Sequence, residues 1–570
     1  MNKSIVLSQN LPLSQPQLPE NKIDFSLPEL PSNVPESLPD IEIPPNPLND
    51  FQIPTVETPN KTEPLKDFKD KQYWSSYCNQ AVLGDDPATA LQACDRAITL
   101  QPKKANLWAN RSKILLDLKQ YTEALAAADH TLQLQPKHSL GLTYRSMALT
   151  GLGQYHAAID ASETALRHDS YWSNGSPALA WHNQGLSLFK LEKYQLAANA
   201  YSRAFTIAPE DSLILARKCQ VLSALGKQEQ AIDTCQEAIK IDRNWGKFSP
   251  AIAWNFRGLA LARSDRQDAA ILAYDRALHY EPHNPITWTY QGIALHELDK
   301  HREALNSYQQ AIALKPDFSL ALVNRCQIYN QLKQYQTAVT NCQEALAGDG
   351  FWGELGATQA WNQLSIALNN LGQYQEALIA LNRAVGFEPD NAEAWNNRGV
   401  TLWYLEQYPE AIASFERAID LDPEDPSPWH NMGRVYRSEK QYIEALSAYD
   451  RALAIDAENT EGWVNRSVIA WYLQDYSQAL EDLNTALDLD PELFVAWYNQ
   501  GNVLIAQARY SEAISAYERA IALKQKNPQV WAAKGFALKM TGNISEAAAA
   551  CAMATKLNRG KPFDKYCTLY

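Results

Sequence analysis

Paired cysteines are the residues of this chain whose type and spacing most directly suggest a chemical bond. Each of the eight cysteines has a partner sixteen residues away along the sequence. If each pair flanks the turn of an antiparallel helical hairpin, its residues face each other at about the 4.4–6.8 Å Cα separation of a disulfide. The expected disulfides are Cys78–Cys94, Cys219–Cys235, Cys326–Cys342 and Cys551–Cys567.

Other uses of the same cysteines remain open. Cysteine is also a small apolar residue, so the alternative is eight reduced and buried thiols. A zinc site fits less well, because structural zinc sites usually bring two ligands within about two to four residues of each other. We therefore expect no metal.

Catalytic motifs are missing from the sequence. The ten histidines are scattered, and none lies in a paired metal-ligand spacing. There is no G-x-S-x-G motif, no P-loop and no dinucleotide-binding glycine pattern. We expect no catalytic residues and no cofactor, and hence a protein that is not an enzyme.

Aromatic and cationic residues form a second group at a spacing of 34. Two positively charged side chains between aromatic faces would suit a carboxylate or phosphate beside an apolar group. The alternative is that the aromatic rings cover neighbouring helices. The group consists of Trp403, Arg437 and Trp471, with Tyr404, Tyr472 and Arg434 beside them.

The same spacing runs through the chain and predicts the elements that position these residues. One alanine recurs fourteen times, mostly every 34 residues and three times after 39, from Ala90 through Ala411 to Ala547. With this alanine as position 20, position 4 is Trp in eleven units, position 8 is small and position 32 is often Pro. Apolar residues at steps of three and four predict two amphipathic helices per unit.

The pattern W-x3-G/S/C … Y … A-x3-Y/F/C-x2-A-x4-P resembles the tetratricopeptide repeat (TPR) over about residues 71 to 561. The resemblance implies an all-α solenoid, a right-handed superhelix of antiparallel helix pairs. It also implies that the first helix of each unit lines a groove, with positions 2, 5, 6, 9, 12 and 13 exposed to it. Position 6 is Asn in four consecutive units, namely Asn397, Asn431, Asn465 and Asn499.

Three functions follow as expectations. An amide both donates and accepts hydrogen bonds, so a row of asparagines can hold the backbone of an extended peptide. The first expectation is a scaffold or assembly factor that binds a protein or peptide, acidic or with a free carboxylate, in this groove. The alternatives are the non-catalytic arm of a protein glycosyltransferase complex and a purely structural spacer. Asparagine is also common at this position of the repeat, which favours a packing role.

Three units carry a five-residue insertion in the connector that follows them. These units have Leu142, Leu215 and Leu322 where the others have tryptophan, and a later tryptophan at Trp172, Trp245 or Trp352. We expect the later tryptophan to cover the surface that the missing one covers elsewhere. The alternative is that the three insertions form a binding edge.

The composition of the chain excludes some partners and marks the limits of the repeat array. The net charge of −14 argues against nucleic acid as partner, and no apolar run is long enough to span a bilayer. Residues 1–70 hold thirteen of the thirty prolines and no glycine, which predicts a disordered tail before the array at 71–561 and a capping segment at 562–570.

The cellular location has two interpretations. Paired cysteines favour an oxidising extracytoplasmic compartment and a start lacking its leader, whereas the absence of a signal peptide favours the cytoplasm.

Overall fold

A computed structural model describes residues 67–81, 86–168, 172, 176–246, 248–353, 356–558 and 567. These residues form twenty-eight α-helices and no β-strand, which confirms the predicted all-α repeat fold. The predicted tail lies outside the described residues, except that α1 begins at Asp67. The predicted capping segment also lies outside them, except for Cys567.

The helices alternate as first and second helices of the repeats. Their bounds are α1 Asp67–Ala81, α2 Pro87–Leu100, α3 Ala105–Asp117, α4 Tyr121–Leu134, α5 Ser139–Gly151, α6 Tyr155–His168, α7 Pro177–Lys190, α8 Tyr194–Ile207, α9 Ser212–Ala224, α10 Gln228–Ile241, α11 Ala251–Ala262, α12 Gln267–Tyr280, α13 Pro285–Glu297, α14 His301–Leu314, α15 Ser319–Gln331, α16 Tyr335–Leu346, α17 Gly356–Asn370, α18 Tyr374–Phe387, α19 Ala392–Tyr404, α20 Tyr408–Leu421, α21 Pro426–Ser438, α22 Tyr442–Ile455, α23 Thr460–Tyr472, α24 Tyr476–Leu489, α25 Phe494–Ala506, α26 Tyr510–Leu523, α27 Pro528–Met540 and α28 Ile544–Leu557.

The described helices divide into two units at Arg266 and Gln267. The N-terminal unit holds α1–α11, and the C-terminal unit holds α12–α28. Within each unit, a helix contacts helices one or two places away in the chain. This nearest-neighbour arrangement is the one a repeat array requires, because no repeat can bury its apolar face alone.

Small residues set the close packing inside each helix pair. The position-20 alanines are almost completely buried, as in Ala411, which is 0% exposed. At position 8, Gly433 leaves room for the buried ring of Tyr449 at position 24, and a β-carbon at Gly433 would come within 2.8 Å of that ring. Positions 8 and 24 therefore face each other, as the cysteine spacing predicted.

The four cysteine pairs occupy these facing positions or their terminal equivalent. Each pair is joined by a disulfide, with Cα atoms 4.7 to 5.5 Å apart. Ser146 and Ser162, at positions 8 and 24 of the third repeat, share a hydrogen bond of 2.6 Å between their hydroxyl oxygens. The pairing of the cysteines in the structure is thus the one that their spacing predicted.

A position-4 tryptophan connects six of the repeats to the repeat before them. The indole N–H at position 4 donates at 2.9 Å to the carbonyl oxygen six residues earlier in six repeats, for example Trp395 to Pro389. In two of the long connectors, Trp245 and Trp352 instead pack against the clusters that contain Leu215 and Leu322, respectively. In these two places the later tryptophan packs against the cluster that contains the leucine at position 4, the relation expected from compensation. In the remaining long connector, the residues on both sides of Trp172, 169–171 and 173–175, lie outside the described residues.

Candidate functional site

The first helices α19, α21 and α23 carry the predicted groove residues of repeats ten to twelve. All three helices lie in the C-terminal unit. Asn391, Asp425 and Asn459 cap their N-termini, each with a side-chain oxygen that accepts a backbone N–H of the first turn. Because the three helices begin at the same point of their repeats, position 12 of each repeat lies at the same place along its first helix.

Two aromatic pairs occur two repeats apart, and each joins a first helix, α19 or α23, to the second helix that precedes it. Tyr404 stacks on Tyr374 with ring centroids 4.7 Å apart, and Tyr472 stacks on Tyr442 at 4.8 Å. Trp403 and Trp471 each contact the tyrosine that follows them in sequence, at 4.8 and 5.1 Å. All four of the predicted aromatic residues are partly exposed. The sequence prediction missed Tyr374 and Tyr442, although both occupy position 17 of their repeats.

The two tryptophans also belong to the packing of their repeats. Trp403 packs against the apolar cluster that includes Leu402 and Phe415, and its indole N–H donates to Ser438 Oγ at 3.1 Å. Trp471 packs against a cluster of α23 to α25, and its indole nitrogen is buried without a hydrogen-bond partner. Each ring therefore has one side in the protein and part of its surface open to solvent.

Arg434 and Arg437 differ in their surroundings. Arg434 is 5% exposed, and its guanidinium lies over the Trp403 ring, 4.2 Å from the centroid. Arg437 is partly exposed and donates to Asn465 Oδ1 at 3.2 Å. Substitution of Arg434 thus disturbs buried packing, whereas Arg437 offers the more accessible positive charge.

Two titratable groups that the sequence prediction missed lie beside the arginines. His430 is 2% exposed, and burial, together with the charges of Arg434 and Arg437, lowers its pKa to about 3. Burial raises the pKa of Glu461, while Arg434, a hydrogen bond from Asn465 and Arg437 act in the opposite direction. At neutral pH the group therefore contains two arginine charges, one glutamate and a neutral imidazole. The spacing of 31 residues between His430 and Glu461 falls outside the repeat period, so periodicity alone did not relate them.

The asparagine row is mostly buried. Asn431, Asn465 and Asn499 are 7%, 8% and 0% exposed, whereas Asn397 is partly exposed. The Asn431 amide donates to Asn396 Oδ1 at 3.0 Å, and the Asn465 amide lies 3.2 Å from His430 Nε2. Two members of the row are thus engaged in contacts between adjacent repeats. The Asn397 amide nitrogen is buried without a hydrogen-bond partner.

Other kinds of site were sought across the residues that the structure describes. Among these residues there is no group of three or more His, Cys, Asp or Glu side chains that could hold a metal ion. A cavity of about 940 Å³ lies between α24, α25 and α26, lined in part by Glu481, Trp497 and Arg519, and none of the predicted groove residues lines it. None of the described helices has the length and apolar character needed to cross a membrane.

Family models match many parts of the chain. Models described as "Tetratricopeptide repeat" match residues 178–211, 215–244, 291–353, 392–425, 414–447, 464–528 and 504–562. A model described as "TPR repeat" matches residues 367–405. The matched segments lie in both units.

Curated relatives resemble parts of the chain. It is 28% identical over 103 residues to "Small glutamine-rich tetratricopeptide repeat-containing protein 2" of Mycosarcoma maydis, which is 18% of this chain and 28% of that protein. It is 23% identical over 221 residues to "DnaJ homolog subfamily C member 7 homolog" of Dictyostelium discoideum, which is 37% of this chain and 40% of that protein. The chain thus spans less than half the length of each of these relatives.

Two solved structures match this chain at low sequence identity and with TM-scores below 0.5. The structure titled "Crystal structure of APC/C hetero-tetramer Cut9-Hcn1" matches with a TM-score of 0.47 and 13% identity over 86% of this chain and 94% of that one. "Crystal structure of YrrB: a TPR protein with an unusual peptide-binding site" matches with a TM-score of 0.29 and 22% identity over 36% of this chain and 98% of that one. The family matches, together with the twenty-eight paired helices of the described residues, show that this chain belongs to the tetratricopeptide-repeat family.

Proposed function

We propose that the first helices α19, α21 and α23 bind an acidic peptide segment, or a free C-terminal carboxylate, of a partner protein. The observation that carries the proposal is the placement of Arg437. It occupies, in the middle repeat, the position that Trp403 and Trp471 occupy in the repeats on either side. A partly exposed guanidinium flanked along the array by aromatic pairs suits a carboxylate with an apolar neighbour.

The local charge supports an anionic ligand. Arg434 and Arg437 contribute two positive charges against the single carboxylate of Glu461, because the depressed pKa of His430 keeps its ring neutral. This excess of positive charge lies in a chain whose net charge is −14. An acidic peptide would therefore be attracted to these helices and repelled by much of the remaining surface.

The other candidate functions have less support from the same residues. A transferase arm that holds its substrate by an asparagine row needs accessible amides, and three of the four asparagines are buried. A purely structural spacer explains the hydrogen bond from Arg437 to Asn465 but requires no positive charge at that position. Both alternatives are distinguished from peptide binding by the experiment below.

The test uses the full chain and immobilised peptides. A library of peptides with free C-terminal carboxylates is compared with the same library amidated, and hits are titrated by fluorescence polarisation. Arg437→Gln should weaken binding of a carboxylate hit by at least about tenfold, because a charge-assisted hydrogen bond contributes about 1.5–3 kcal/mol. Arg417→Gln is the matched control, since Arg417 is an exposed arginine on the second helix α20.

The outcomes separate the candidate functions. A carboxylate-dependent hit that is weakened by Arg437→Gln and unaffected by Arg417→Gln supports the proposal. Equal loss in both variants would indicate non-specific charge attraction. Co-purification of a sugar-nucleotide transferase from the native source, without any peptide hit, would favour the transferase arm, and the absence of both would favour the spacer.

A further inference from the structure

The cavity between α24, α25 and α26 uses a different face of the first helix from the predicted groove. All three helices lie in the C-terminal unit, and the cavity has a volume of about 940 Å³. Proteins hold small molecules in cavities of about 300–1,000 Å³, so this one has room for such a ligand. From α25 it is lined by positions 4, 7, 11 and 14 of the repeat, which are Trp497, Gln500, Leu504 and Gln507. None of these belongs to the groove positions 2, 5, 6, 9, 12 and 13.

The two adjacent repeats carry a basic residue at position 7 that contacts both a tryptophan and a carboxylate. In the twelfth repeat, the guanidinium carbon of Arg466 lies 5.2 Å from the centroid of the Trp463 ring. Its Nε is 3.1 Å from Asp450 Oδ1 on the preceding second helix. In the fourteenth repeat, Lys534 lies 5.9 Å from the position-4 ring and 2.9 Å from a carboxylate oxygen of Glu518. Each cation thus joins the tryptophan of its own repeat to a carboxylate of the repeat before.

The thirteenth repeat has a neutral residue in this place. Position 7 is Gln500, and its amide donates to Asn484 Oδ1 at 2.8 Å, so a neutral pair replaces the ion pair. The indole N–H of Trp497 donates to the carbonyl oxygen of Pro491 at 2.9 Å, and the ring is partly exposed in the cavity. Within the part of the chain that the structure describes, Trp497 therefore lacks the position-7 cation that both adjacent repeats provide.

Charged side chains of both signs line the same cavity. On α24, Glu481 and Asp488 lie seven residues apart on one face, about 10 Å along the helix axis. On α26, Arg509 pairs with Glu512 at 2.6 Å, whereas Arg519 lines the cavity from an exposed position. The described residues form no ion pair with Glu481, Asp488 or Arg519. The cavity therefore presents two negative charges and one positive charge to a ligand.

We infer that this cavity binds a free basic amino acid, such as lysine or arginine. The side-chain cation of the ligand lies over the Trp497 ring beside Glu481. Its α-ammonium pairs with Asp488, and its α-carboxylate pairs with Arg519. Its methylene groups contact Leu504. The inference concerns other helices than α19, α21 and α23, and it does not rest on the proposed function.

The three charges of the cavity favour this class of ligand over related ones. A polyamine matches both carboxylates but is repelled by Arg519. A lysine side chain within a polypeptide has one positive charge and no carboxylate, so it leaves two of the three charges unpaired. An acidic ligand meets the repulsion of Glu481 and Asp488. A basic amino acid carries two positive charges and one negative charge, which is the reverse of the charges in the cavity.

The experiment measures the binding of L-lysine to the full chain by isothermal titration calorimetry at neutral pH and low salt. Three analogues each lack one of the three charges of lysine. L-Norleucine lacks the ε-ammonium, cadaverine lacks the carboxylate, and Nα-acetyl-lysine lacks the α-ammonium. We expect L-lysine to bind at least about tenfold more tightly than each analogue, because each analogue loses one charge-assisted contact.

Variants assign the charges of the ligand to their partners in the protein. Arg519→Gln should weaken the binding of L-lysine at least about tenfold, and it should not weaken that of cadaverine, which has no carboxylate. Gln500→Arg supplies the position-7 cation of the adjacent repeats, so it should abolish the binding of L-lysine. The same change at position 7 of the seventh repeat, Gln291→Arg, is the matched control and should leave the affinity unchanged. Arg437→Gln should also leave it unchanged, which separates this cavity from the proposed function.

Three results would overturn the inference. The first is equal affinity for L-lysine and L-norleucine, or no binding of L-lysine at millimolar concentration. The second is equal or tighter binding of Nα-acetyl-lysine or cadaverine, which would assign the cavity to a polypeptide or a polyamine. The third is unchanged binding of L-lysine in Arg519→Gln. Because Arg519 is exposed, its substitution should leave the melting temperature unchanged, and this comparison decides even if Gln500→Arg disturbs the fold.

Discussion

At the scale of single residues, the contact between positions 8 and 24 explains why position 8 is Gly, Ser or Cys in every repeat. A glycine accommodates an aromatic ring, as Gly433 does for Tyr449. Two cysteines form a disulfide, and two serines share a hydrogen bond. Each solution fills the same gap between the two helices of a pair, so the volume of one side chain limits that of the other.

A matched pair of glycine substitutions tests this volume limit. In an open helical position, Gly386→Ala should stabilise the protein by about 0.5–1 kcal/mol, because alanine loses less backbone entropy and nothing lies within 4 Å of the added carbon. Gly433→Ala should instead destabilise it, since the new carbon would overlap the Tyr449 ring. Urea unfolding of both variants measures the two signs, and stabilisation by Gly433→Ala would contradict the packing argument.

His430 gives a second prediction at this scale, on pH dependence. Its folded-state pKa of about 3 lies below the ordinary 6.5, so between these values the unfolded chain binds a proton that the folded chain does not. The stability contributed by the neutral ring is complete above about pH 6.5 and is lost as pH falls toward 3. A histidine NMR titration should therefore show no protonation of His430 at pH 5.

Two variants check the cause of this shift. Arg437→Gln should raise the pKa of His430, because one of the nearby positive charges is removed. His430→Gln should lose less stability than the wild type when urea unfolding is repeated at pH 7.5 and 5.5. An ordinary pKa near 6.5 would mean that the imidazole is accessible to water.

At the scale of helices and connectors, the structure shows two ways of joining one repeat to the next. In repeats of ordinary length, the position-4 tryptophan donates to a carbonyl oxygen of the preceding repeat. After the fifth and eighth repeats, the longer connector returns a tryptophan to the leucine cluster. In each of these two repeats a disulfide also joins the two helices, Cys219–Cys235 in the fifth and Cys326–Cys342 in the eighth.

The disulfides predict a measurable dependence of stability on redox conditions. Peptide mapping without reduction should find the four pairs in protein from the native source. Each closes a loop of about fifteen residues and should stabilise by up to about 3 kcal/mol on the chain-entropy model. Reduction should lower the protection of these hairpins from hydrogen exchange and leave the Ser146–Ser162 hairpin unchanged. Eight free thiols in the native protein would contradict this and favour a reducing compartment.

At the scale of the whole molecule, contacts between neighbouring helices within each unit mean that stability is local. Contacts in each unit reach no further than two helices along the chain. Strain introduced in one repeat is therefore felt by that repeat and its neighbours, and it weakens with distance along the array. A substitution in one stretch of first helices should therefore leave a distant stretch unchanged.

An overpacking substitution tests this locality. Ala411 is 0% exposed in the closest contact of its helix pair, so Ala411→Trp should destabilise by about 1–3 kcal/mol or more. Hydrogen exchange should rise in α19 to α22 and stay unchanged in α1 to α6. Ala413→Trp, at an exposed position of the same helix, is the control and should have little effect. An equal rise of exchange throughout the chain would contradict nearest-neighbour stability.

The sequence by itself determined the helices, their pairing and the cysteine partners, because these depend on a period that is visible in the residues. A spacing of 34 identifies the equivalent positions of the repeats. A small residue such as Ala411 at one of these positions indicates that two helices approach each other closely there. The disulfide partners followed from the same register. None of these inferences required knowledge of contacts between different repeats.

Only the tertiary structure decided which polar groups are accessible. Periodicity treated Arg434 and Arg437 alike, yet one is buried over a tryptophan ring and the other is partly exposed. Periodicity also indicated that the asparagine row is a binding surface, but the buried amides of Asn431 and Asn465 contact residues of neighbouring repeats. Arg217 occupies groove position 6 of the fifth repeat, but the ring of Phe248 reaches it from an inserted connector that has no place in the repeat register. Burial and charge compensation depend on such neighbours, which the spacing of one residue type does not specify.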